Sequence, residues 1–117
     1  MGRQKLTIIL DFDGVIHSYP KWKGIIPTDP PTEGAREAII KLREQFNVKI
    51  LSTRCTEPAG VKGIEDYMVE HDIPHDGVLV QKEKAVLMVD DRGYRFDGNW
   101  DSLLWFVKDG APEPWNR

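Results

Sequence analysis

The fold is decided by the stretch LTIILDFDGVIH, Leu6 to His17. Leu6, Ile8, Ile9 and Leu10 make an apolar run broken only by Thr7, with no alternation of apolar and polar residues. A strand buried on both faces of a parallel sheet reads this way. The run stops at Asp11, a second carboxylate follows at Asp13, and Gly14 comes next. Two negative charges at the end of a buried strand need a chemical reason, because carboxylates gathered in a partly dry cleft repel one another.

Outward from this stretch, strands and helices alternate. Residues 14 to 31 contain Pro20, Pro27, Pro30 and Pro31, so regular structure there should be short. Thr32 is expected to cap a helix, with Glu33 in its first turn and Ala35, Ile39, Leu42 and Phe46 along one stripe. VKIL, Val48 to Leu51, is a second strand leading into Ser52, Thr53 and Arg54. Pro58 opens another helix, with Val61, Ile64 and Met68 on one face and an end before Pro74. GVLV at Gly77 to Val80 and AVLMV at Ala85 to Val89 are short buried strands, the second ending in Asp90 and Asp91. A last helix is expected from about Asp101 to Lys108, with Gly110 beyond it and Trp100, Trp105 and Phe106 filling the core. This alternation predicts an α/β fold with a mainly parallel sheet.

In such sheets ligands sit beyond the carboxyl ends of the strands. Asp11 and Asp13, Ser52, and Asp90 and Asp91 all fall at those ends. A cation would relieve the repulsion, and hard oxygen ligands with open positions suit Mg²⁺, which often bridges to phosphate. One carboxylate of the Asp11–Asp13 pair could bind metal and attack phosphorus; the other could protonate the leaving oxygen and then activate water. Ser52 or Thr53 can hydrogen-bond phosphate oxygens, and Lys82 can neutralise charge that builds up in transfer.

These residues carry a resemblance. DFDGV, Asp11 to Val15, resembles the first motif of the haloacid dehalogenase superfamily, an apolar strand leading into Asp-x-Asp. LST at Leu51 to Thr53 resembles the second motif, Lys82 the third-motif lysine, and MVDD at Met88 to Asp91 the acidic fourth motif. KEKAVLMVDDRGYRF is similar to small phage and bacterial members. The resemblance implies a three-layer Rossmann-like core, and a Mg²⁺-dependent phosphatase that cleaves phosphomonoesters through an aspartyl-phosphate. It implies Asp11 as nucleophile and metal ligand, and Asp13 as general acid/base with its backbone carbonyl on the metal. It also implies Asp90 as a metal ligand, Asp91 as one directly or through water, and Ser52 and Lys82 as phosphate contacts. Thr53 could stand in for Ser52, and Lys84 for Lys82. Residues 14 to 31 are too few for a helical cap domain and residues 55 to 80 are already used, so a single capless domain over residues 1–117 is expected.

Composition bounds the alternatives. A net charge of -3 argues against coating nucleic acid or anionic membrane through bulk charge. Cys55 is the only cysteine, which suits a reducing cytoplasm. No signal peptide is expected ahead of the first strand, and no apolar run approaches the roughly 20 residues of a membrane span. Tyr19, Lys21, Trp22 and Lys23 interleave aromatic and basic residues just after the Asp pair. They are read as the substrate entrance, with Arg54 beside them, or else as a hydrophobic plug with solvated lysines. The expected partner is a phosphorylated small molecule or nucleic-acid end, and without a cap either a large substrate or an oligomeric neighbour would cover the site. His17, His71 and His75 show no metal spacing and take no assigned chemistry. Two other classes compete: a receiver-like phosphoacceptor and a non-catalytic metal- or phosphate-binding module.

Overall fold

In the computed structural model, residues 5–91 and 98–108 are described. β1 (Leu6–Asp11) lies between β2 (Phe46–Leu51) and β4 (Leu87–Val89), and β3 (Val78–Leu79) pairs with the far side of β2. The order β3-β2-β1-β4 is parallel at every pairing. Ile8, Ile9 and Leu10 are all buried, as the apolar run requires. The three α-helices among the described residues are α1 (Ala35–Leu42), α2 (Pro58–Glu70) and α3 (Trp100–Lys108). The architecture is α/β and compatible with a Rossmann-like arrangement. None of the described helices is long and apolar enough to cross a membrane.

Connectivity places the site. The chain leaves β1 to build β2 and β3 on one side, then returns to place β4 on the other. The direction of winding reverses between β1 and β4, which is where open α/β sheets open a crevice for ligands. Beneath that crevice one core joins Phe12 and Ile16 from the loop after β1 with Val48 and Ile50 of β2 and Ile64, Tyr67 and Met68 of α2.

Four expectations are corrected, the first being the buried strand expected at Ala85 to Val89: β4 covers only Leu87–Val89, and all three residues are exposed. The N-cap of α1 is Gly34, in the left-handed region at φ 82°, without a side-chain cap. Thr32 instead donates from its hydroxyl to the Val15 carbonyl at 2.6 Å and from its backbone N–H to Ile16 at 2.8 Å, so it fastens the loop after β1. Phe46 is not on a helix: α1 ends at Leu42, the chain turns through residues 43–45, and Phe46 pairs with Leu6 as the first residue of β2. Trp100 and Trp105 do not fill the core; they are 67% and 70% exposed, and α3 contains no buried residue. Gly110 lies outside the described residues.

Candidate active site

β1 ends at Asp11 and β4 delivers Asp90 and Asp91 immediately after Val89. Carboxylate oxygens of Asp11, Asp90 and Asp91 all lie within 4.8 Å of one another. Asp11 and Asp90 border a cavity of about 200 Å³ that Asp13, Tyr19, Trp22 and Thr53 also line. Asp11 accepts a hydrogen bond from the Phe12 N–H at 2.8 Å. Burial outweighs that bond and, with Asp90, Asp91 and Asp13 adding repulsion, pushes the Asp11 pKa up to about 6.

Gly14 fits Asp91 into place. A Cβ at Gly14 would lie 1.9 Å from Asp91 Oδ2, and its φ of +83° also favours glycine. Asp91 Oδ1 is buried and has no hydrogen-bond partner among the described residues. A buried carboxylate oxygen without a partner is costly, and a cation is the natural one for it. This oxygen, the three-carboxylate cluster and the all-oxygen donor set together fit a hard divalent ion such as Mg²⁺.

Asp13 is not part of this cluster. Its Oδ1 accepts from His17 Nδ1 at 2.8 Å, and Arg54 Nε lies 3.2 Å from Oδ1 and 3.0 Å from Oδ2. The Asp29 N–H donates to His17 Nε2 at 3.0 Å, so Nε2 carries no proton there and Nδ1–H is the donor to Asp13. The His17 ring is 1% exposed, stacked on Phe12 and met edge-on by Tyr67. Arg54 is 2% exposed and also ties down the loop: NH1 donates to the carbonyls of Gly24 at 2.6 Å and Ile25 at 2.8 Å. Its guanidinium carbon lies 4.6 Å from the centroid of the Trp22 ring. The backbone of Arg54 is set by α2, because Gly60 lets that helix approach the Arg54 carbonyl where a Cβ would sit at 1.8 Å.

The residues singled out from sequence fall into two groups. Asp11, Asp13, Asp90, Thr53, Tyr19 and Trp22 meet at the cavity, and Asp91 joins the acidic cluster. Ser52 is buried, and its Oγ accepts from the Arg54 N–H at 3.2 Å as the cap of a single 3₁₀ turn, Thr53–Thr56; Thr53, not Ser52, reaches the cavity. Lys82 is exposed and is not among the described lining residues. Lys84 borders a different hollow with Lys5, Leu6 and Thr7, at the amino end of β1, because the connection into β4 must first travel back to the start of the sheet. Lys21 is exposed, and Lys23 is paired with Asp29 at 2.6 Å. Arg54 is not at an entrance at all but beneath it. Cys55 is buried, which pushes its thiol pKa up and leaves it inert.

Comparisons of the chain with protein-family models, with curated proteins and with solved structures find no match, so the functional reading stands on the site itself. Sequence reasoning missed His17 and the part played by Arg54. The signal for His17 was its place four residues after Asp13, behind Gly14, where the chain folds back and Gly14 N–H bonds the His17 carbonyl at 2.9 Å. For Arg54 no local signal existed.

Proposed function

We propose that the chain is a Mg²⁺-dependent phosphohydrolase that cleaves phosphomonoesters through an aspartyl-phosphate on Asp11, in a three-layer, capless domain of the haloacid dehalogenase type. The supporting observation is the meeting of Asp11 with Asp90 and Asp91 at the winding reversal, beside a cavity that also holds a second, separately oriented aspartate. Asp11, Asp90 and Asp91 would hold the ion, which supplies charge neutralisation for the phosphoryl oxygens.

An Asp11 oxygen attacks phosphorus, the bond from phosphorus to the leaving oxygen breaks, and that oxygen takes a proton from Asp13. Water then gives a proton back to Asp13 and attacks the aspartyl-phosphate, releasing inorganic phosphate and the Asp11 carboxylate. Asp13 Oδ2 faces Arg54 alone, whereas Oδ1 accepts from both His17 and Arg54, so Oδ2 is the oxygen with a free position for the travelling proton. Thr53, which lines the cavity, would contact phosphate oxygens through its hydroxyl. A role for Lys82 would require the exposed connection before β4 to close over the cavity.

The test is turnover of an aryl phosphate. Multiple turnovers with Mg²⁺, abolished by EDTA and by Asp11→Asn, are expected. A single stoichiometric labelling without turnover would make the chain a phosphoacceptor, and full activity in EDTA would overturn the metal site.

A further inference from the structure

The wall of the cavity is aromatic, and one of its rings is fixed. Trp22 is 53% exposed and lines the same cavity as Asp11 and Asp13. Its protein side is occupied by the buried Arg54 guanidinium, 4.6 Å from the ring centroid. The same guanidinium ties down the next stretch of backbone at Gly24 and Ile25. A tryptophan that only plugged a hydrophobic edge would bury its ring against apolar side chains; this one lies on a cation and leaves the rest of its surface open to the cavity. A ring held in advance loses little freedom when a ligand stacks on it. Tyr19 is the other aromatic residue on the wall, and the remaining described lining residues are three aspartates and Thr53. No amide or arginine side chain among them is free to read the hydroxyl pattern of a sugar.

We infer that the substrate carries a nucleobase, separated from the scissile phosphate by its sugar, that stacks on the open face of Trp22. The inference rests on the phosphohydrolase reading of the same site. Spacing favours a nucleoside phosphate over an aryl phosphate: Arg54 stands between acid/base group and ring, with Asp13 Oδ2 at 3.0 Å from Nε and the ring centroid 4.6 Å from the guanidinium carbon. An arene bonded to the scissile oxygen would lie against Asp13 itself, whereas a base lies one sugar away. The shared chemistry admits two sources, a free mononucleotide or the phosphorylated end of a strand.

The experiment measures binding to the Asp11→Asn protein with Mg²⁺ by calorimetry. Adenosine 5′-monophosphate should bind roughly 5- to 150-fold tighter than ribose 5-phosphate, the range set by one base stacking on one aromatic ring. Adding Trp22→Leu should bring that ratio close to one, and adding Trp22→Phe should keep part of it. A ratio near one in the starting protein, or one that Leu preserves as well as Phe does, overturns the inference, because a structural plug needs bulk and not a ring. A 5′-phosphorylated oligonucleotide that outcompetes the mononucleotide increasingly as salt falls assigns the strand end; parity assigns the free nucleotide. Phosphate release by the unmutated protein separates the two readings. Base-dependent binding without hydrolysis keeps the stacking site and removes the phosphatase, and hydrolysis without base dependence does the reverse.

Discussion

The two strands that meet at the cavity are built differently. The β1 side is finished: three consecutive strand residues are buried, and the Asp13 carboxylate is held by His17 and Arg54, each almost fully buried and each tied further to the loop spanning residues 24–29. The β4 side is not. β4 is three residues long, Leu87, Met88 and Val89 are all exposed, and it ends beside a buried Asp91 oxygen with no partner among the described residues. Folding alone completes the group read as acid/base, while the cluster read as the metal site brings three carboxylates within 4.8 Å of one another. The contrast assigns the parts of the site that mutation should damage through stability and those it should damage only through ligand binding.

The largest effect is expected on the finished side. Asp13→Asn should lower kcat about 10²- to 10⁴-fold on an aryl phosphate. A loss confined to KM would break the assignment. Next, Arg54→Met removes one of the two partners of Asp13 and the donor to two loop carbonyls, and should cost about 3–5 kcal/mol in denaturant unfolding. Arg43→Met, which removes a peripheral pair with Asp76 at 3.0 Å, should cost about 1 kcal/mol or less. Equal costs would erase the distinction between the linchpin and the surface.

On the unfinished side the effects appear with the ion. Asp90→Asn should raise the Mg²⁺ concentration for half-maximal activity roughly tenfold or more. The smallest effect is electrostatic. Asp11 titrates near 6 in the folded chain against 3.8 for the ordinary side chain, so the folded state holds the proton more tightly than the unfolded one. Ionising Asp11 therefore weakens the fold as pH rises from about 4 through about 6, and the penalty is fully present above that. In metal-free buffer Asp11→Asn should gain about 1 kcal/mol relative to the unmutated chain between pH 4 and 8, after allowance for solvent around the carboxylate. Thermal melts across that range check it, and added Mg²⁺ should cancel the gain.

The finished and unfinished halves were not equally legible. β1 could be read because an apolar run has one ready meaning in an α/β chain, and the carboxylates could be read because position at a strand end is a local property. Phe46 was misassigned because it continues a helical stripe and begins a strand with the same side chain. Arg54 was out of reach: its partner Asp13 lies 41 residues away, and an arginine after a strand looks like a loop residue until the helix behind it is in place. Trp100 and Trp105 were expected inside because their bulk is apolar, but α3 buries none of its residues. Thr32 had a helix-capping sequence around it, and the tertiary bonds to Val15 and Ile16 won.

The central claim is that phosphate passes through Asp11. Mixing excess protein and Mg²⁺ with an aryl phosphate, quenching in acid within the first turnover and sequencing the labelled peptide by mass spectrometry tests it directly. The account predicts an acid-stable, hydroxylamine-sensitive phosphate on Asp11 that disappears as inorganic phosphate is released. Phosphate on Asp13, Asp90 or Asp91, or turnover with no covalent label at any time point, would contradict it.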